Sequence, residues 1–401
     1  MIPDTSCLPP GISPGTLNAM TSSTKGSKQP SKKASKAVTL RTIADHVKLS
    51  PATISIVLNG SPVAKSIPQE TQDRVFSAAK ELGYRPNFLA RSLRNRRTYS
   101  VGVLVPEVIG GYAVGVMDGI ERHLLEAEYF YLIASHRSKE RLLQKYLQML
   151  QDRSVEGFIL IATQIGEPPA LPTVAVAGHK ELEGVTNIVI DHDLAIHGAM
   201  SHLVELGHRK IAFFKGHPNS SDTEDRWNAV RQSAAGLGID MPTALCPQLS
   251  GESAGPVFTP QEAYEEGYAF GNRLLETGLE FTALMAFNDV SAIGAMRAFL
   301  DAGMDIPGDI SVIGFDDIQS AAFHNPGLTT IRQPLSEMGE MAGRILLERL
   351  AGNDTYPPFV HVQPELILRG TTAPPPEHVH MRPPAAEPTF VAGPGRRRKL
   401  L

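Results

Sequence analysis

From Tyr99 onward, short apolar runs alternate with amphipathic stretches of about a dozen residues. The runs are SVGVLV from 100, FYLIAS from 130, GFILIA from 157, TVAVAG from 173, NIVID from 187, KIAFFKG from 210, TALMAF from 282 and ISVIGFD from 310. Between them, helical spacing predicts helices at 113–127, 139–151, 193–206, 225–237, 261–277 and 289–302. Runs apolar at every position suit strands covered on both faces, and strands alternating with helices suit parallel, doubly wound sheets. There are more β-α units here than one compact sheet usually takes, which implies two lobes.

Ahead of this region the pattern changes. Ile43 and Val47 share a face four residues apart, so a helix runs from Leu40 to about Val47 with Thr39 as its cap. Lys48 and Leu49 turn the chain. Ser50 caps a second helix that has Pro51 at its first position, where the missing N–H is harmless. This helix, to about Leu58, buries Ile54, Val57 and Leu58 and turns Ala52, Thr53, Ser55, Ile56 and Asn59 outward. A third helix, about Pro68 to Leu82, carries the stripe Thr71, Val75, Ala78 or Ala79 and Leu82 and stops at Gly83. Two short helices joined by such a turn, with small polar residues opening the second, fit a helix-turn-helix reading head. Beyond it, Asn87 can cap a short helix bearing Arg91, Arg94, Arg96 and Arg97, with Leu93 apolar among the cations.

Charge sharpens this division. The net charge of -4 conceals a basic front: residues 1–97 hold 15 of the 38 Lys and Arg but only 5 of the 42 Asp and Glu. Such an asymmetry points to a head that meets a polyanion. Residues 1–37, rich in Ser, Pro, Gly and Lys, and the Pro-rich 373–401, ending in RRRK before two leucines, have little to pack and are expected to be disordered tails. Cys7 and Cys246 form no disulfide framework or metal spacing. With no long apolar run and no charged-then-apolar leader, the expectation is a cytoplasmic protein.

The stretch TLRTIADHVKLSPATISIVLNG, then LGYRPN and ARSL, resembles the headpiece of the lactose-repressor (LacI/GalR) family of bacterial transcription regulators. LVELGHRKIAFFKG, AFNDVSAIGAMRAFLDAGMDIPGDISVIGFDD, NPGLTTIRQPLSEMGEMAG and PELILRGTT are similar to later family segments, so the likeness spans roughly 38–372. It implies a major-groove head whose contacts fall on Thr39, Arg41, Ser50, Pro51, Ala52, Thr53, Ser55, Ile56 and Asn59. It also implies a hinge (85–98) whose Asn87, Ala90, Arg91, Leu93 and Arg94 enter the minor groove, Leu93 as the wedge that unstacks a base step. Many relatives have an arginine where Ile56 stands, so the operator should differ at that position, a methyl-bearing side chain suiting a thymine methyl.

The resemblance further implies a dimerising, effector-binding core (99–372) like a periplasmic sugar-binding protein: helix-turn-helix domain at 38–84, lobe 1 at about 99–191 and 328–352, lobe 2 at about 193–321 and 358–372. The chain should cross between lobes near 191–193, 322–328 and 353–359. Ligands of open α/β sheets lie at the carboxyl ends of strands. The polar residues there are Glu107, His136, Thr163 or Gln164, Asp191, Asn288 and Asp316, with Arg226 opening the helix after KIAFFKG and Tyr112 able to stack on a ring. Carboxylates accept from hydroxyls and a guanidinium donates a fork, which suits a hydroxyl-rich effector. Asp316 and Arg226 match family positions that hold the small molecule; Ala229 and Val230, and IGGY in the first loop, depart from the usual residues.

The sequence therefore reads as an α-helical helix-turn-helix headpiece joined to an α/β core of two doubly wound lobes: a homodimeric repressor of operator DNA, controlled by a sugar-like effector, with no cofactor or metal and no membrane partner. No heptad zipper follows Gly370, which argues for a dimer over a tetramer. The enzyme alternative finds no G-x-G-x-x-G, P-loop or G-x-S-x-G. His192, His197, His202 and His208 do not suit a metal, because steps of five turn about 500° on a helix. A secreted solute-binding protein is the other alternative, weakened by the basic head.

Overall fold

The computed structural model describes residues 38–84, 97–108, 111–249 and 260–377, in two compact units divided at Arg94 and Asn95. Residues 1–37, 378–401 and most of the hinge, including Asn87, Ala90, Arg91, Leu93 and Arg94, lie outside the described residues, while the start of the expected C-terminal tail lies within them, Ala373 N donating to Ser311 Oγ at 3.0 Å.

In the first unit, helix α1 (Leu40–Val47) starts where Thr39 Oγ1 accepts from the Thr42 amide. Helix α2 (Pro51–Leu58) starts where Ser50 Oγ accepts from Thr53 N at 3.0 Å. Lys48, with φ of 61°, makes the left-handed turn between them. Helix α3 (Gln69–Glu81) closes a core of Ile43, Ala44, Val47, Ile54, Val57, Val75, Ala78 and Ala79. A 3-10 segment over Pro62–Ser66, absent from the sequence reading, buries Ala64 between α2 and α3.

The second unit holds two sheets. The first contains β1 (Ser100–Val105), β2 (Phe130–Ser135), β3 (Phe158–Ile161), β4 (Thr173–Val176), β5 (Val185–Ile190) and β10 (Phe359–Val362), in the order β10-β5-β4-β3-β1-β2, all parallel. The second contains β6 (Ile211–Phe213), β7 (Ala283–Met285), β8 (Ser311–Asp316), β9 (Thr329–Arg332) and β11 (Glu365–Ile367), in the order β11-β9-β8-β7-β6. Here β11 runs antiparallel to β9, so the second sheet is parallel except for that edge.

Helices cover both faces, as the apolar runs require. In lobe 1, Val101, Val103, Val105, Ile159 and Val174 face α4 (Gly111–Glu126) and α11 (Leu335–Leu350), while Leu104, Leu160 and Ala175 face α5 (Glu140–Gln151). In lobe 2, Ile211, Phe213, Met285 and Phe315 face α6 (His192–Leu206) and α7 (Thr223–Leu237). Ala212, Phe214, Leu284 and Val312 face α8 (Pro260–Glu276) and α9 (Asp289–Asp301). The short α10 (Gln319–Phe323) follows β8 and leaves Phe323 82% exposed. Among the described residues no helix is long and apolar enough to cross a membrane.

Two crossing points differ from the sequence reading. The first does lie between β5 and α6, at Asp191. The second falls not at 322–328 but at Gln333–Pro334, because β9 still belongs to the second sheet while α11 packs on the first. The third falls not at 353–359 but at Gln363–Pro364, between β10 and β11. These strands are only three or four residues long, too short for periodicity to place.

Candidate functional site

Tyr112, His136, Asp191, Arg226, Asn288 and Asp316 all stand at the carboxyl ends of strands, after β1, β2, β5, β6, β7 and on β8 respectively. The structure then sorts them. Tyr112, Arg226 and Asp316 share one electrostatic neighbourhood, since the phenol feels Asp222, Asp316 and Arg226. Burial, with those two carboxyls, raises the phenol's pKa far above its ordinary value.

Arg226 is 1% exposed. Its guanidinium lies 4.3 Å from the Phe287 ring centroid and 3.6 Å from that of Phe315. One terminal nitrogen donates to Asp222, four residues earlier on the same turn, and the other to the Phe287 carbonyl. The expected fork toward a ligand is therefore taken up inside the protein; only Nε–H has no partner among the described residues. Asp222 also accepts from Ser220 Oγ at 2.6 Å. Burial works to raise its pKa, but Arg226 above all outweighs burial and holds it below the usual carboxylate range.

Asp316 is the opposite case. It is 8% exposed, and burial raises its pKa well above the carboxylate range; Arg226 works against this, and Asp289 and Asp222 add to it. Its φ of 107° is a left-handed conformation away from the usual αL well, followed by Asp317 at 55°. Such strain costs on the order of 1–3 kcal/mol and persists only where the surroundings hold it. Arg332 and Arg369 grip the Asp317 carboxylate at 2.8 and 2.5 Å. The buried Asp289 accepts from Ile318 N at 2.8 Å and from Thr330 Oγ1 at 2.5 Å, and burial lifts its pKa to about 7. Gln333, at the second crossing, donates through Nε2 to Asp316 Oδ1 at 2.7 Å.

Asp191 and Asn288 are helix caps. Asp191 Oδ1 accepts from Leu194 N, opening α6, and Asn288 Oδ1 accepts from Ser291 N, opening α9, both at 2.9 Å. His136 is engaged away from this cluster: its Nε2 lies 2.9 Å from Thr163 Oγ1, whose hydroxyl donates to the Ile161 carbonyl, so the histidine donates. Burial lowers its pKa to about 4. A histidine kept neutral in this way gives stability that is complete above about pH 6.5 and is lost as pH falls toward 4. His136→Gln, which can still donate to Thr163, should flatten that acid limb; thermal melts at pH 7 and pH 5 will show it as a smaller difference than in the wild type.

Three features were not in the sequence reading. Asp222 is one, although its i,i+4 spacing to Arg226 is a sequence signal. Contacts between lobes are another: His179 Nδ1 lies 3.2 Å from Asp225 Oδ2, and Gln164 donates to the Ser220 carbonyl at 3.4 Å. The third is an anchor at the start of the core. Arg97, read as part of the basic hinge, lies instead against Glu156 at 3.4 Å and donates to the Tyr129 hydroxyl at 2.9 Å. Glu156 also accepts from the Thr98 and Tyr99 amides and from Tyr129. Trp227 stacks on Phe213 and packs against the core, with Lys215 Nζ 5.1 Å from its ring centroid.

On the head, Thr39, Arg41, Ser50, Pro51, Ala52 and Asn59 are exposed, and Thr53, Ser55 and Ile56 are half-buried. The Asn59 amide donates back to Ser55, so part of its hydrogen-bonding capacity is used within α2.

Comparison with known proteins agrees with this division. Residues 39–87 match the family described as bacterial regulatory proteins, lacI family, and residues 200–372 match a periplasmic binding protein-like domain. The HTH-type transcriptional repressor PurR of Haemophilus influenzae is 29% identical over 343 residues, 82% of this chain and 97% of that protein. The ribose operon repressor of Escherichia coli is 28% identical, covering 83% of this chain and 99% of its own length. Among solved structures, the lac repressor dimer bound to operator and the anti-inducer ONPF superposes with a TM-score of 0.73 at 23% identity, over 84% of this chain and 100% of that one. A LacI family regulator from Enterococcus faecium with bound ribose gives 0.58 at 27% identity, over 69% and 99%. With a helix-turn-helix head and a two-lobed periplasmic-binding-protein-like core, the chain belongs to the lactose-repressor (LacI/GalR) family of transcriptional regulators and has a repressor's effector-binding architecture.

Proposed function

We propose that this protein is a cytoplasmic, homodimeric repressor of a near-palindromic operator, released or engaged by a sugar-like effector held between its lobes. α2 of each head enters a major groove, with Thr53, Ser55, Ile56 and Arg41 reading bases and the remaining head residues fixing register on phosphates. The hinge residues Asn87, Ala90, Arg91, Leu93 and Arg94 pair with those of the second copy in the minor groove, where Leu93 wedges open a step.

The observation that carries the reading is the bond from Gln333 to Asp316. It joins the carboxyl best placed to meet an effector to a point where the chain passes between lobes. An effector that prefers one arrangement of Asp316 thereby prefers one lobe angle, and the coupling equals its difference in affinity for the two angles. A ribose operon repressor and a ribose-bound regulator among the similar proteins favour a sugar.

Selection of duplexes from a random library by the full chain tests this. A palindrome should emerge, with affinity falling steeply as salt rises because phosphate contacts release counterions. Leu93→Ala should weaken binding to the selected duplex at least tenfold without changing effector affinity. No preference for any palindrome, with or without sugars, would overturn the reading.

A further inference from the structure

Tyr99 holds a backbone conformation that a tyrosine seldom adopts. Its φ is 48°, and among the described residues no other Phe, Tyr or Trp has a positive φ. Left-handed backbone crowds the side chain of a bulky residue, so it persists only where surrounding groups hold it. The strand that follows does not need it. Ser100 already pairs with Phe130 as β1 begins, and an extended residue at 99 would lead into that strand without strain. The kink therefore turns the chain at the point where it enters the core.

Glu156, between α5 and β3, holds the turn. One carboxylate oxygen, Oε1, accepts from the amides of both Thr98 and Tyr99, the latter at 2.7 Å. Successive amides aimed at one oxygen make a small anion-binding hollow, which an extended chain does not offer. The other oxygen, Oε2, accepts from the Tyr129 hydroxyl at 3.0 Å and lies 3.4 Å from Arg97 Nε. Burial first, then that bond, pushes the Tyr129 phenol up to about 12, so it stays a donor to the carboxylate. Arg97 in turn donates to Tyr129 and lies 5.5 Å from the centroid of the Tyr99 ring, which meets the Tyr129 ring edge-on at 5.4 Å. Thr98 Oγ1 adds a bond to the Ser154 carbonyl at 2.6 Å. Three consecutive residues, 97 to 99, are thus tied to one carboxylate whose side chain is 14% exposed. That is more restraint than the start of one strand requires.

We propose that Glu156 is a positioning residue for operator binding: it clamps the left-handed elbow at Tyr99 and so fixes the direction in which the chain leaves lobe 1 toward residues 85–96. The claim rests on the reading that two copies of the chain bind one operator through those residues and their heads. Glu156 needs no contact with DNA in this role, because it acts through Thr98 and Tyr99. Once one head of a dimer is bound, the second meets its half-site at an effective concentration set by how freely its tether swings. A fixed elbow keeps that concentration high; a free one spreads it over directions that miss the site. A random duplex has no second half-site to miss and should not register the elbow.

Fluorescence anisotropy of the full chain with the duplex selected above, and with a random duplex of equal length, tests this alongside thermal melts. Glu156→Gln, which keeps the shape and loses the charge, should weaken binding to the selected duplex at least tenfold and to the random one less than twofold. Tyr99→Val, β-branched and ill-suited to positive φ, should do the same without touching the carboxylate, whereas Tyr99→Asn, which tolerates that conformation, should stay within threefold of wild type. A merely structural Glu156 would lower the melting temperature and leave the operator affinity of the folded protein unchanged. Binding of the selected duplex by Glu156→Gln within twofold of wild type overturns the proposal. Equal losses on both duplexes, or equal losses from Tyr99→Asn and Tyr99→Val, overturn it too, the first pointing to a lost phosphate contact and the second to the ring. If wild type itself prefers no duplex, the operator reading falls and takes this proposal with it, a failure visible before any variant is made.

Discussion

Replacing Arg226 with alanine is expected to lower the stability of the effector core by about 3–5 kcal/mol and to abolish the response to effector. Arg226 is 1% exposed, and its two terminal nitrogens are taken up by Asp222 and the Phe287 carbonyl while its plane lies against two aromatic faces. Its removal leaves the Asp222 carboxylate buried beside a hole, and an uncompensated buried charge costs more than the lost attraction alone. Asp222→Asn should cost less, because the guanidinium keeps its carbonyl and ring contacts. The double variant, Arg226→Ala with Asp222→Asn, should lose less than the sum of the single losses, the signature of a pair that acts as a unit. Urea unfolding of the four proteins measures this; a loss below 1 kcal/mol for Arg226→Ala would show that the pair is not the keystone of lobe 2.

The pair also shows how far the sequence could be read. Strands such as SVGVLV and ISVIGFD are legible because they are buried on both faces, and every run singled out becomes a strand. Strands β9, β10 and β11 are not, since TTIR, FVHV and ELI are short and the last two only partly covered, and the crossings shift with them. Helix α11 carries its signal in Leu335, Met338, Ala342 and Ile345, yet the sequence reading assigns no helix there. For the candidate site, strand-end placement picks out Tyr112, Arg226 and Asp316, which the structure brings into one cluster, together with Asp191 and Asn288, whose capping bonds to α6 and α9 it does not foresee. Nor can it see that Thr163 occupies His136, which depends on what other strands bring alongside.

Gly339→Ala is expected to destabilise the core by roughly 1–3 kcal/mol, even though alanine is the better helix former by about 1 kcal/mol. In α11, a Cβ at 339 would run into the Val116 carbonyl of α4, and one at Gly119 of α4 would run into the Ser336 carbonyl of α11. The two helices meet backbone to backbone, so relief requires them to move apart, and a close-packed interior resists that. Gly198→Ala is the control. It lies on the exposed side of α6 with nothing near its Cβ, and should raise stability by about 0.5–1 kcal/mol. Opposite signs for one chemical change separate packing from propensity in a single pair of melts. The consequence reaches the cleft, because α4 begins beside Tyr112 and α11 follows directly on the Gln333–Pro334 crossing. Helices forced apart at Gly339 displace both ends of that connection, so Gly339→Ala should also weaken effector binding, whereas Gly198→Ala should not. If Gly339→Ala were as stable and as responsive as wild type, the contact between α4 and α11 could not be what fixes Tyr112 relative to the crossing.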